Sequence, residues 1–135
     1  MKKLVKTLLF GIVCAVLFNC GKSSSPTPVA GCKFTFKGTS YSYAAAICGP
    51  GSGGDTLGGV STNGTELLSM IKGTVTFISL AFDALSGTPN VYESAAAAVD
   101  PTITISGKTW TFSGTLVNTT TAESAEISGT CNCTN

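Results

Sequence analysis

The sequence predicts an all-β domain, an antiparallel β-sandwich or small barrel of seven to nine short strands, preceded by a signal-peptide helix and a flexible tether. Three observations carry this expectation. From residue 20 onward, 34 of 116 residues are Ser or Thr and 12 are charged, which suits short strands with hydroxyl-bearing outer faces rather than amphipathic helices. Two segments place alternating apolar residues on both sides of a glycine turn, the pattern of a hairpin. Turn residues then punctuate the rest of the chain at short intervals, as in sandwiches and small barrels.

The elements divide into 1–19, 20–30 and 31–135. Lys2, Lys3 and Lys6 precede a twelve-residue run at 7–18 (TLLFGIVCAVLF), and Asn19, Cys20, Gly21 and Lys22 stop it. A spanning helix needs about 20 apolar residues. The shorter run with a basic start has the layout of an export signal that is later removed. Leu17-Phe18-Asn19-Cys20 resembles the lipobox of bacterial lipoproteins, with Leu at the third position before an acceptor cysteine. Phe18 and Asn19 stand where that pattern usually has small residues, and relaxed versions of this kind resemble those of Bacteroidota-type lipoproteins. The resemblance implies diacylglyceryl transfer to the Cys20 thiol and a membrane partner reached through that anchor. Gly21 after the acceptor resembles outer-membrane sorting, with the periplasmic and surface faces both open. The alternative is a soluble secreted protein, but no small-x-small cleavage site follows the apolar run before Ser23. Residues 21–30 (GKSSSPTPVA) have a tether's composition, because Ser and Gly resist ordering and Pro26 and Pro28 keep the chain extended.

In the domain, Phe34 to Tyr43 forms the first hairpin. A turn at Gly38-Thr39 sets Lys37 opposite Ser40, Phe36 opposite Tyr41 and Phe34 opposite Tyr43, so that four aromatics share one face. The second hairpin turns at Gly107-Lys108, opposing Ile105 to Trp110 and Ile103 to Phe112, with Thr104 and Thr111 outside. Between them, 57–62 and 65–72 flank Asn63-Gly64, a type I′ signal, and 74–82 is apolar enough for a strand covered on both faces. Segment 65–72 also fits a short helical turn. The alanine run in 92–99 favours helix while its place between turns favours an edge strand, and Asp100-Pro101 ends it. Residues 115–117 extend the second hairpin, and 125–134 closes the chain. The whole sequence resembles a small β-sandwich lipoprotein of the Bacteroidota type, in which signal, acceptor cysteine and tether precede a domain opening with F-x-F-x-G-x-x-Y, here Phe34 to Tyr41.

With Cys14 in the signal and Cys20 as acceptor, Cys32, Cys48, Cys131 and Cys133 remain, an even number in an oxidising compartment. Residues two apart on a strand lie about 6.6–7 Å apart at Cα, at or past the limit for a bridge, so Cys131 and Cys133 each need a distant partner. The expectation is one bond from Cys32 and one from Cys48, both to the last strand. A metal site is not expected, since C-x-C with two scattered cysteines lacks the paired spacing of structural zinc. C-x-x-C, the usual redox motif, is absent.

Other chemistry is sparse. Removing residues 1–19 leaves five Lys against seven acids and a formal charge of −2, with no Arg or His, so nucleic acid is not an expected partner. Gly49-Pro50-Gly51-Ser52-Gly53-Gly54 satisfies G-x-G-x-x-G, but no helix follows to receive phosphates, and it reads as a flexible loop. Asp55, Glu66, Asp83, Glu93, Asp100, Glu123 and Glu126 are scattered, with no His to serve as base. No catalytic residue and no cofactor is therefore expected. Asp55-Thr56-Leu57 resembles the O-glycosylation sequon of exported Bacteroidota-type proteins, which makes Thr56 a candidate acceptor. Among the polar aromatics, Trp110, Tyr41 and Tyr43 belong to the core by register, and Tyr92 is the candidate exposed binding residue. Three functions follow as expectations. The first is a non-enzymatic envelope module binding a protein or glycan. The second is an adhesin or assembly subunit that pairs through an edge strand, and the third is a hydrolase using carboxylates brought together by folding.

Overall fold

A computed structural model describes residues 30–94, 97 and 99–134. The expected signal peptide, Cys20 and residues 21–29 of the tether lie outside them. The strands are β1 Gly31–Phe36, β2 Thr39–Tyr43, β3 Ala45–Gly51, β4 Gly54–Val60, β5 Leu67–Gly73, β6 Thr76–Phe82, β7 Asn90–Glu93, β8 Thr102–Ser106, β9 Thr109–Asn118 and β10 Ser124–Asn132. They form one antiparallel, nearly closed, barrel-like sheet in the order β2-β1-β10-β9-β7-β6-β5-β4-β3, with β8 also paired to β9.

The expected all-β class is therefore what the chain adopts, with ten strands among the described residues rather than seven to nine. The additional strand is β3, whose Gly49, Pro50 and Gly51 read as loop in the sequence. It is an edge strand, where a missing proline N–H costs no ladder bond. The Gly-rich segment is accordingly a hairpin, with Gly51 opposite Gly54 across a two-residue turn, and not a flexible loop. Glycine is required at Gly54 because a side chain there would overlap Lys72 O and Gly73.

β2 and β3 are joined by Ala44 alone, and β2 pairs with β1 while β3 pairs with β4. The chain thus turns a barrel corner at Ala44. The ten-residue β9 is the spine: β10 lies along one side, while β8 and then β7 share the other. Eight residues, 94–101, intervene between those two short strands. Gly114 leaves room for Pro101, which a Cβ at that position would strike.

The inward rows meet as one core that includes Phe34, Phe36, Leu68, Met70, Ile78, Leu80, Trp110, Phe112, Leu116 and Ile127. Each fully buried side chain of this size contributes about 1.5–3 kcal/mol. Aromatic rings run through it: Phe34 stacks on Tyr41 at 5.2 Å, Tyr41 meets Phe82 at 5.7 Å, and Phe36 meets Tyr92 edge-on at 4.9 Å. β6 buries Ile78 and Leu80 on one face and leaves Phe77, Ser79 and Ala81 half covered on the other, short of the expected two buried faces.

Two local expectations need correction. In the first hairpin Phe36 pairs with Thr39 and Phe34 with Tyr41, so the turn is Lys37-Gly38 rather than Gly38-Thr39. Both turn residues have positive φ, 50° and 74°, the type I′ geometry that matches strand twist. The pairing moves by two residues, which preserves parity, so the four aromatics still face inward. Asn63-Gly64 is not a two-residue turn but part of a six-residue loop between Val60 and Leu67. There Asn63 Oδ1 accepts hydrogen bonds from Ser61 Oγ and Thr65 N, an Asx arrangement that competes with the tight turn. Of the open choices, 67–73 is strand, while β7 ends at Glu93 and residues 95, 96 and 98 of the alanine run lie outside the described residues. The second hairpin has the expected register, with Ile105 opposite Trp110, Ile103 opposite Phe112, and Thr104 opposite Thr111.

Candidate functional site

The four cysteines form two disulfides. Cys32 and Cys131 face each other directly across β1 and β10, with Cα atoms 4.0 Å apart. Cys48 of β3 is bonded to Cys133, just beyond β10, with Cα atoms 5.6 Å apart. Both expected bonds to the last strand are present. The second ties β3, one edge of the sheet, to the end of β10 near the other edge, helped by Thr134 N and Oγ1 donating to Ala46 O at 3.1 and 3.2 Å.

Beside this disulfide lies an open cleft of about 260 Å³. β3 supplies Cys48, Gly49 and Pro50, β4 supplies Asp55, and the β8–β9 hairpin supplies Ile105, Gly107, Lys108 and Trp110, with Cys133 completing the lining. Hairpin chemistry places these groups. Gly107, with φ 58°, turns the chain so that Lys108 stands at the rim, and Cys133 N donates to Lys108 O at 3.0 Å to fix the turn against β10. Trp110 is 2% exposed, so its indole forms the floor of the cleft rather than a stacking platform. One carboxylate, Asp55, and one ammonium group, Lys108, line it. That combination offers hydrogen bonding and charge to a small polar group. Glycosidic hydrolysis calls for a pair of carboxylates.

The opposite end carries a tied polar cluster. Lys37 Nζ donates to Tyr92 Oη at 2.6 Å and to Glu123 Oε2 at 2.7 Å, and Tyr92 Oη donates to the same carboxylate oxygen at 3.2 Å. The ammonium group also lies 4.7 Å from the Tyr92 ring centroid, within cation–π range. Asn118 organises the loop that presents Glu123: its Oδ1 accepts from Thr120 N and Thr121 N, and its backbone N–H donates to Glu123 O. The hydrogen bond to Glu123 raises the Lys37 pKa, and the bond from Lys37 lowers that of Glu123.

Tyr92 is therefore not the exposed aromatic expected from the sequence. It is 3% exposed, because its position on β7 points inward against Phe36 and Phe82 and its hydroxyl is bonded at the rim. Thr56 lies within β4, half-buried, with its hydroxyl donating to Gly49 O at 2.9 Å. Cys20 lies outside the described residues. Sequence reasoning missed Lys37 and Glu123 as partners of Tyr92; the only local signal was the Lys-Gly pair at the end of an alternating strand. It also missed the cleft formed by Asp55 and Lys108, because two hairpins distant in sequence create it.

Among the described residues, β2 pairs with β1 alone, and Ser40 and Ser42 are exposed on it. A shallow groove of about 410 Å³ crosses from β2 over β1 to β10, walled by Lys33, Thr35, Ser40, Ser42 and Ser128. Fold and site together define a disulfide-braced antiparallel β-barrel with an open edge. A comparison with protein-family models and with curated protein sequences finds no match to the chain.

Proposed function

We propose that this chain is a lipid-anchored protein of the bacterial cell envelope, of the Bacteroidota lipoprotein type, held at the outer membrane through acylated Cys20. Its barrel acts as a non-enzymatic binding or structural module. The observation that carries the reading is the cysteine distribution: the four in the domain pair into two disulfides, which persist in oxidising compartments, and Cys20 sits at the end of an export-type segment. The single carboxylate in the cleft supports binding over carboxylate-pair hydrolysis. Replacing Cys20 with Ser tests the anchor. The full chain labels with palmitate and pellets with membranes, and the C20S form does neither. Equal membrane association of both forms contradicts the reading.

A second reading, an assembly subunit working by strand addition, is favoured by one observation, the unpaired outer edge of β2.

A further inference from the structure

We propose that β2 is the docking edge for a second copy of this chain, the two β2 strands pairing antiparallel about Tyr41. The inference deepens the strand-addition reading and rests on it.

Hydrogen-bond alternation identifies the groups on offer. In a hairpin closed by a two-residue turn, the pair flanking the turn exchanges both backbone bonds, and the pairs then alternate. Phe36 and Thr39 flank the turn, so Thr39, Tyr41 and Tyr43 direct their N–H and C=O groups to β1. Ser40 and Ser42 direct theirs away from β1, toward the unpaired side, and both are exposed.

The chain blunts its β3 edge and leaves β2 bare. On β3, Ala46 O accepts from Thr134, Cys48 is bonded to Cys133, and Pro50 has no N–H to offer. β2 carries no proline and no charged residue, two devices that protect edges from pairing.

The sequence of β2 is complementary to itself. A two-fold axis at Tyr41 sets each Ser40 opposite Ser42 of the second copy, and those two pairs exchange four backbone hydrogen bonds. Tyr41 then faces Tyr41 of the second copy as a non-bonded pair, the alternation that β1 already imposes. The charge nearest on that row is Lys33, opposite Ser42 on β1, and its row continues into Ser40 and Thr35 of the second copy. No like charges oppose each other. Such an isologous contact closes as a dimer. A five-residue edge is a weak contact by itself, and confinement of both copies to one membrane by their anchors raises their effective concentration. The ten residues at 21–30 span at most about 33–36 Å, enough for both anchors to reach one bilayer.

The test uses the full-length lipidated protein in membranes and after transfer to detergent micelles. Light scattering gives its mass, and hydrogen exchange gives the protection of individual amides. The proposal expects a dimer in which the Ser40 and Ser42 amides exchange slowly at high surface density and rapidly on dilution, while Tyr41 and Tyr43 stay protected throughout. Ser42→Pro removes an N–H that β1 does not use, so it leaves the barrel's melting temperature in place and weakens dimerisation at least tenfold. Ser42→Ala retains the dimer. A monomer at every surface density overturns the proposal, as do unprotected Ser40 and Ser42 amides in a dimer. A complex in which those amides are covered by a different protein also overturns it. The anchor is scored separately by the acyl mass on Cys20, so a lipidated monomer defeats this inference alone and an unlipidated dimer defeats the anchor alone.

Discussion

Lys37 and Glu123 lie 86 positions apart and meet at 2.7 Å, joining the β1–β2 turn to the β9–β10 loop over the hydroxyl of Tyr92. The contact explains why a lysine occupies a left-handed backbone position, φ 50°, that usually favours Asn, Asp or Gly. It also makes stability depend on pH in a defined direction. Glu123 titrates below its ordinary value, so its contribution is present above that value and is lost as pH falls through the lowered one. Lys37 titrates above 10.5, so its share is complete below 10.5 and is lost as pH rises through the raised value. Melting temperatures across pH 2–6 should fall less steeply for Glu123→Gln than for the parent chain. Identical slopes remove the contact from the account.

Glycine positions separate by what a side chain would meet. At Gly129 a Cβ would overlap Phe34 and Lys33 O, whereas at Gly58 nothing lies within 4 Å. Gly129→Ala should therefore disrupt the β1–β10 pairing and cost several kcal/mol, at the upper end of ordinary point mutants. Gly58→Ala should stay within about 1 kcal/mol of the parent. Urea unfolding of both variants checks the contrast.

Tyr43 buries its hydroxyl without a hydrogen-bond partner among the described residues. Burial raises the phenol's pKa, and the nearby Glu66 carboxylate adds to the rise without making a hydrogen bond of ordinary geometry. Tyr43→Phe removes a buried polar group that contributes no bond, so stability should be unchanged or rise by about 1 kcal/mol. A loss of more than about 1.5 kcal/mol would show that the hydroxyl is bonded after all.

The disulfides join cysteines 99 and 85 positions apart. Chain entropy assigns each roughly 4–5 kcal/mol, and measured removals commonly cost about 2–5. Cys48→Ala with Cys133→Ala should lower stability within that range and speed exchange of the β3 amides first, since this bond ties the β3 edge to the end of β10. Uniform exchange across all strands would place the constraint elsewhere.

Much of this fold was legible because its hairpins are encoded locally. Ile105, Trp110 and the Gly107 turn lie within six residues, and their register could be counted. The cysteines were legible because a short C-x-C spacing forbids one pairing and leaves distant ones. β3 was hidden by Pro50 and its glycines, whose meaning changes at a sheet edge. The turn at Lys37-Gly38 was misplaced by one residue because the contacts that hold Lys37 there come from Tyr92 and Glu123, far along the chain. The same distance hid the cleft: Asp55 and Lys108 line one cleft only once both hairpins are in place. Tyr92 was misread because parity on a four-residue strand beside an alanine run cannot be counted without its partners.

The central claim is export, acylation at Cys20 and oxidation of the domain. Intact mass of the native protein from its membrane fraction, before and after reduction, addresses all three. The native protein should be a chain beginning at Cys20, heavier than its sequence by the acyl groups, that gains about 4 Da on reduction as two disulfides take up hydrogen. A chain that retains residues 1–19, or whose mass does not change on reduction, would contradict it.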